Sequence, residues 1–455
     1  MELSHSEIKK LIDKHFDAFI LSKKYNIRTI RANSLLTYNR FDLSFKLSYL
    51  ELLKKNPSYS KELYRDHIRA FTLGKFKEPG NKNKNNLEKF YLDFNNTFNS
   101  IKKNNFDKKK SLVPITESGF ILNGSHRVAS AIFLNKSINT VTLNYPRPNY
   151  NYEFFKERNV SEKFLDTAVT SFIEHSGNTH IAFIWPSAIG NEKKLQKKLQ
   201  KIVYKKTINL SINGAHNLIS ELYEGEKWLG DVENNFNGSF LKAIKCFNNN
   251  SPLQVYVFQA ENLQHVVKIK KEIRELFNIG KHSIHITDTK KEAVKVSKFI
   301  FNNNSIHFFN NGYPLKFLSK KLDLKSIKRN GQIVFNEKMT LLLYGLKDYD
   351  VNIENLTSNI NKYTINIHEG LYNPDDYFYF KNHKFLSLYK LLVLIEKQSL
   401  SHELDLIKDL RKLTRKQNSN KSYRQKIRYL KTIMRQSLVD ILTKVGILKY
   451  IKKVI

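Results

Sequence analysis

The sequence predicts an α/β or α+β protein of several domains. Three observations predict it. The chain is 455 residues long, more than one core of ordinary size organises. Apolar residues near the start recur at helical spacing. From about Thr179 onward, short apolar runs alternate with amphipathic stretches, the pattern of strands and helices in turn. Hydrophobic residues make up 41% and aromatic residues 12%, enough to build buried cores.

The bulk properties narrow the partners. The net charge is +35. A charge of that size implies an acidic partner: nucleic acid, a nucleotide-linked substrate, or an anionic membrane surface. Lysine dominates and is spread along the chain, so no single basic face stands out. Cys246 is the one cysteine, which excludes an internal disulfide framework and a cysteine-based zinc site. It fits a reducing cytoplasm. The start, MELSHSEIKKLIDKHF, lacks the apolar centre of a signal peptide. No apolar run approaches the ~18 residues of a spanning helix.

Residues 1–110 are expected to be mainly helical. Ile8, Leu11, Ile12, Phe16 and Ile20 recur at helical spacing, and Leu43 to Leu53 repeats the pattern. Tyr64 to Asn81 mixes His67, Arg69, Lys75 and Glu78 with a Pro-Gly turn. It either lines a site near the next motif or forms an exposed charged helix and a turn.

That motif is ILNGSHRVASAI, Ile121 to Ile132, in a module over residues 111–150. Phe120 to Leu122 is expected as a strand, Asn123-Gly124 as a turn, and Ser125 as the cap of a helix from His126 to about Leu134. Such a junction aims backbone N–H groups and the helix dipole at one point, which suits an anion. His126 and Arg127 would add donors, Arg127 as a fork to phosphate. The same residues also fit a capped helix whose Arg127 makes an ordinary salt bridge.

A central α/β segment is expected over 151–280, after the Pro146 and Pro148 boundary. Its expected strands are HIAFIWP, TINLSI and Leu253 to Phe258. Its expected helices are Lys193 to Val203 and His265 to Phe277. Asn213-Gly214-Ala215-His216 is expected as a second turn and helix start, with His216 either an acid–base group or structural. Further on, GKHSIHITDTKKE places His282, Ile284 and Ile286 on one face of a strand and His285 on the other, with Asp288 or Thr289 capping the next helix. Its dense polar groups make His285 a catalytic candidate.

Residues 281–412 hold a second chemistry-bearing stretch. Met339 to Tyr344 is apolar and short, the pattern of a buried strand, and Gly345 breaks it. On a continuing strand, Asp348 and Asp350 would share a face, with Tyr349 opposite. Two unpaired carboxylates repel. A divalent cation removes that cost, and Mg²⁺ is held by one or two carboxylates plus substrate phosphates. The alternative is a solvated turn. Residues 413–455 form a basic tail whose Ile427, Leu430, Ile433, Leu438, Ile441, Leu442 and Val445 make an apolar stripe. It fits an anionic bilayer surface, packing on the body, or RNA.

Two resemblances follow from these residues. Ser111 to Asn144, through Gly124, Ser125, His126 and Arg127, resembles the ParB/sulfiredoxin superfamily and its phosphate-binding motif. Sulfiredoxins carry a cysteine where this chain has Ser125, so their redox chemistry is not expected. Lys281 to Lys412 resembles the nucleotidyltransferase superfamily, in which a glycine-containing turn precedes an Asp-x-Asp pair; Gly345, Asp348 and Asp350 match. The Gly-Ser of that family's first strand is missing. Glu354, Glu369, Asp405 and Asp409 are candidates for its third carboxylate. The tail resembles the ends of enzymes of bacterial surface-polysaccharide assembly.

Together these imply a metal-dependent nucleotidyl- or phosphotransferase in capsule or O-antigen assembly, cytoplasmic or peripheral on the inner membrane. Asp348 and Asp350 would hold Mg²⁺ or Mn²⁺ and act in catalysis with His285. Asn123, Gly124, Ser125, His126, Arg127 and Gly345 would bind the phosphate of a nucleotide or nucleotide-linked substrate, with a glycan as acceptor. The alternatives are a nucleic-acid-binding ParB-like protein and a non-catalytic scaffold at the membrane surface.

Overall fold

The computed structural model describes residues 2–78, 83–314, 333–345, 364–366, 372–397, 411 and 413, and these form a mixed α/β structure with several small sheets. Strand β1 (Glu2–Ser4) leads into α1 (His5–Leu11) and pairs with β2 (Lys24–Asn26). Ser4 and Glu7 cap α1 reciprocally. The helix stops at Leu11, and Asp13 caps a separate 3-10 turn over Lys14–Phe19. Ile8, Ile12, Phe16 and Ile20 nevertheless share one small core with Leu112 and Val141. Spacing marked which side chains turn inward, although two elements carry them.

Strand β3 (Arg28–Arg31) comes next, followed by α2 (Asp42–Leu52), α3 (Pro57–Thr72) and α4 (Leu87–Asn104). Then come β4 (Val113–Ile115), α5 (Ser125–Phe133) and β5 (Ser137–Thr142). β5 lies between β3, antiparallel to it, and β4, parallel to it. The mainly helical first region thus also supplies a strand to the sheet beside the motif. Helix α2 is buried on every side from Asp42 to Leu50 and packs against α3, α5 and a later helix. A helix so enclosed needs apolar residues all round, which makes its charged Asp42 and Lys46 conspicuous.

The larger sheet is antiparallel, in the order β7-β8-β6-β9. Its surroundings run α6 (Tyr152–Lys156), α7 (Glu162–His175), β6 (Thr179–Ile184), α8 (Glu192–Leu199), β7 (Ile202–Ile208), α9 (Ile212–Leu222), α10 (Asn237–Cys246), β8 (Leu253–Gln259), α11 (Leu263–Phe277), β9 (Ile284–Ile286), α12 (Lys290–Ile300) and α13 (Asn303–Asn311). Ile181, Phe183, Val255 and Val257 face the main core with α7 and α12. Ala182, Ile184, Tyr256 and Phe258 face a second core with α8 and α11. Both faces are covered, so the strands read as continuous apolar runs.

The last described elements are β10 (Ile333–Phe335), α14 (Glu337–Leu343), β11 (Thr364–Asn366), β12 (Tyr377–Phe380), β13 (His383–Leu386) and α15 (Leu388–Lys397), with strand order β11-β10-β13-β12.

Several expected elements change. Met339–Tyr344 belongs to helix α14 and its C-terminal turn, not to a strand. Met339, Leu341, Leu342, Leu343 and Tyr344 are all buried. A short apolar run enclosed on all sides has no period to separate strand from helix. Ser305–Gly312 likewise falls on α13, capped by Asn302, rather than on a strand. The strand expected from Thr207 to Ile212 runs from Ile202 to Ile208, and the basic helix before it ends at Leu199. Ser211 then caps α9, so Asn213 and Gly214 lie inside that helix instead of forming a turn. His282 sits in a 3-10 turn before β9 rather than on the strand. Phe120–Leu122 shrinks to one bridge, Ile121 to Ile115. No helix among the described residues is long and apolar enough to cross a membrane.

Candidate functional site

The turn before α5 is the best-built of the expected sites. Gly124 has φ +86°, a conformation glycine adopts without strain. It takes the cap position expected of Ser125, and no side chain among the described residues caps the helix. The first N–H groups of a helix have no partner within it. Those of Ser125, His126 and Arg127 have no acceptor among the described residues. The Asn123 carboxamide oxygen receives the Gly124 N–H, which fixes the turn.

Arg127 is folded back over this turn. A Cβ at Gly124 would fall 2.7 Å from its Nη2. Nη1 donates to Leu112 O at 3.1 Å, and no other guanidinium N–H has an acceptor among the described residues. Burial pulls the Arg127 pKa down from its ordinary value, against the attraction of Asp13 and Asp93. A partly buried cation with unused donors therefore lies beside three unused backbone N–H groups.

His126 has a different part. Its Nδ1 lies 3.0 Å from Asp93 Oδ2 on α4, and its Nε2 lies 2.8 Å from the Tyr64 hydroxyl on α3. Its ring stacks on Phe94 at 4.6 Å between centroids. Lys84 reaches Asp93 at 2.9 Å and Glu78 at 3.1 Å. Burial, aided by the Lys46 and Lys84 charges, drops the imidazole to about 4 against the Asp93 hydrogen bond. The neutral ring donates to Asp93 and accepts from Tyr64. It fixes the start of α5 rather than offering a free nitrogen. The segment from Tyr64 meets the motif here.

Beneath the turn lies a buried charge trio on the start of α2. Arg40 donates from Nε and Nη2 to Asp42 at 2.8 and 2.9 Å, and from Nη1 to Ile121 O at 2.6 Å. Lys46 Nζ reaches Asp42 Oδ2 at 3.2 Å. Burial opposes the Asp42 charge, yet Arg40 and Lys46 hold its carboxyl far below the ordinary range. Burial pulls Lys46 down. Two cations and one carboxylate leave an excess of one positive charge. His67 is buried among Phe45, Tyr64 and Phe155, and neither ring nitrogen has a hydrogen-bonding partner among the described residues. Burial and the Lys46 charge keep it neutral.

The other expected residues lie elsewhere. His285 is on β9 in the larger sheet, its Nε2 3.3 Å from Glu292 Oε1 and its ring against Phe183 and Tyr223. That setting accounts for it as a packed residue beside a carboxylate. Thr289, not Asp288, caps α12, and Asp288 pairs with Lys270 at 2.7 Å. His216 is a buried residue of α9, 3.2 Å from Phe236 O. Gly345 follows α14 with φ +71°, against Tyr313. Asp348, Asp350, Glu354, Glu369, Asp405, Asp409 and the tail from 414 lie outside the described residues. Among the described residues no group of three or more His, Cys, Asp or Glu side chains is placed to hold a metal ion.

No protein-family model, curated protein or solved structure matches the chain.

Sequence reasoning did not reach Arg40, Asp42, Lys46, Lys84 or Asp93. One signal was available: charged residues at i and i+4 in a stretch, DLSFKLSYLEL, with no polar face to put them on.

Proposed function

We propose that the chain is a nucleotidyl- or phosphotransferase that seats the phosphate of a nucleotide or nucleotide-linked substrate on the turn Asn123–Arg127. The observation that carries this reading is the pairing of uncapped N–H groups at Ser125–Arg127 with the partly buried, largely unspent Arg127 guanidinium. Backbone N–H groups at a helix start and a guanidinium fork are the donors that phosphate oxygens take. The excess positive charge of Arg40, Asp42 and Lys46 beneath the turn favours an anion there. Asp348 and Asp350 are the carboxylates proposed for Mg²⁺ or Mn²⁺, which would neutralise phosphate oxygens during transfer. The proposed setting is bacterial surface-polysaccharide assembly, with a glycan acceptor; it rests on the basic tail.

Thermal stability against a panel of nucleotides and nucleotide sugars, with and without Mg²⁺ or Mn²⁺, tests the reading. A ligand that binds only the folded chain raises stability by mass action, by ~2.7 kcal/mol at a hundredfold excess over Kd. The expected shift is reduced in Arg127→Lys, which keeps the charge and loses the fork. Its metal-dependent part is lost in Asp348→Asn. A panel with no shift overturns the reading, and so does a shift equal in Arg127→Lys and the natural chain.

A further inference from the structure

Among the described residues, the larger sheet ends in an edge that no other strand pairs with. β7 pairs with β8 along one side only, in register from Tyr204 opposite Val257 to Ile208 opposite Leu253. Along a strand, alternate residues direct their N–H and C=O to opposite edges. Among the described residues no backbone or side-chain hydrogen bond reaches the outer edge of Ile202–Ile208. An exposed row of this kind is a template for another extended chain.

A groove of about 1270 Å³ runs along this edge. Tyr204, Lys205, Lys206 and Thr207 line it consecutively. Successive side chains of a strand point to opposite faces. Four in a row can line one groove only where the strand is met edge-on. The walls agree, because Asn151, Lys156 and Leu165 come from the α6–α7 side, while Gln196 and Gln200 come from α8 on the opposite face. The edge therefore lies at the bottom of a trough with a wall on each side.

The charges select the occupant. Lys206 is buried and bonded to Asp166 and Glu162. Lys156, Lys201 and Lys205 also line the groove, and none has a carboxylate partner among the described residues. Glu153 and Glu162 are the acids of the lining. A second copy of this chain would bring its own lysines opposite these, and like charges across a strand pair destabilise it. We infer that the β7 groove binds an extended acidic segment of a partner protein by strand addition. The segment would pair its backbone with the outer edge of β7 and set its carboxylates against Lys156, Lys201 and Lys205. Main-chain bonds would give affinity and the lysines would give sign selectivity.

The test uses the full chain and a labelled eight-residue peptide alternating Glu and Val. Its companions are the same peptide N-methylated at alternate amides, and a Lys-Val counterpart. Fluorescence anisotropy is expected to give saturable binding of the Glu-Val peptide alone. Affinity should fall at least tenfold in Lys201→Glu/Lys205→Glu, whose fold is checked by thermal unfolding. Hydrogen exchange of the β7 amides should slow on binding. Absence of binding at millimolar peptide overturns the inference. Equal binding of the N-methylated peptide without slower β7 exchange also overturns it, since charge alone would then explain the association. Displacement by an anionic oligosaccharide that leaves β7 exchange unchanged counts the same way. None of these outcomes depends on the α5 turn, so they stand apart from the transferase reading.

Discussion

The chain writes the same four-residue pattern twice, Asn-Gly-x-His, at 123–126 and at 213–216. The two copies fold differently. At the second, Ser211 stands two residues ahead of Asn213 and caps α9, accepting from Gly214 N at 3.0 Å. Asn213 then donates to the carbonyls of Phe309, Asn310 and Gly312 on and after α13. Gly214 lies tight against Asn310, and His216 is held by Phe236 O. Every special group of that copy is spent on packing. At the first, Ile121 stands where Ser211 does in the second, and it cannot cap. Gly124 must start the helix itself, in a left-handed conformation, and the N–H groups behind it stay unspent. A cap in front converts an anion-ready junction into a structural one.

The largest way to break this difference is to remove what supports the first junction. Asp42→Ala leaves Arg40 and Lys46 buried without their counter-ion, and Arg40 holds Ile121 just before the turn. Breaking a buried pair from one side costs about 3–5 kcal/mol. Urea unfolding should show a loss of that order. A loss below about 1 kcal/mol would mean the trio is not the support described here.

A second effect is pH-dependent and belongs to the first junction. The folded pKa of His126, about 4, lies below its ordinary 6.5. The unfolded chain therefore takes up this proton first as pH falls. The stability contributed by the neutral ring is complete above about pH 6.5 and is lost as pH falls through about 4, a difference on the order of 3 kcal/mol. His126→Gln should flatten this part of the stability profile relative to the natural chain. His216→Gln should leave it in place. Identical profiles for His126→Gln and the natural chain would remove His126 from the support of the turn.

Glycine substitutions sharpen the comparison on function. Gly124→Ala meets both a positive φ and the Arg127 guanidinium, a cost of about 1–2 kcal/mol. It should also abolish any nucleotide-induced thermal shift. Gly214→Ala pushes Asn310 aside and destabilises α9 against α13, yet it should keep the full shift. A shift that survives Gly124→Ala would place the nucleotide elsewhere.

How much of this was legible depends on range. The turn at Asn123-Gly124 and the helix behind it were visible because Gly and Asn act locally. The segment from Tyr64 to Asn81 was read either as lining a site near the motif or as an exposed helix and turn, and the contact of Tyr64 with His126 was not itself expected. The carboxylate that orients His126, on α4, was not legible, since no local rule pairs Asp93 with a residue 33 positions away. The α14 misreading has another cause. Met339–Tyr344 is buried on all sides, and total burial erases the period that separates strand from helix. The strand geometry that would set Asp348 and Asp350 on one face is therefore not inherited from that run.

The smallest expected effect is the cleanest discriminator between the two copies. Ser211 and Ser125 are both serines at the start of a helix, and sequence reasoning gave the capping role to Ser125. In the folded chain only Ser211 accepts a backbone N–H. Ser211→Ala should cost about 1 kcal/mol, the usual value of a lost cap. Ser125→Ala should change stability by less than about 0.5 kcal/mol, as for a side chain with no cap to lose. Paired unfolding curves measure both. If Ser125→Ala costs as much as Ser211→Ala, the first junction is capped in solution. Its N–H groups are then spent as they are at α9, and the physical basis for a phosphate there disappears.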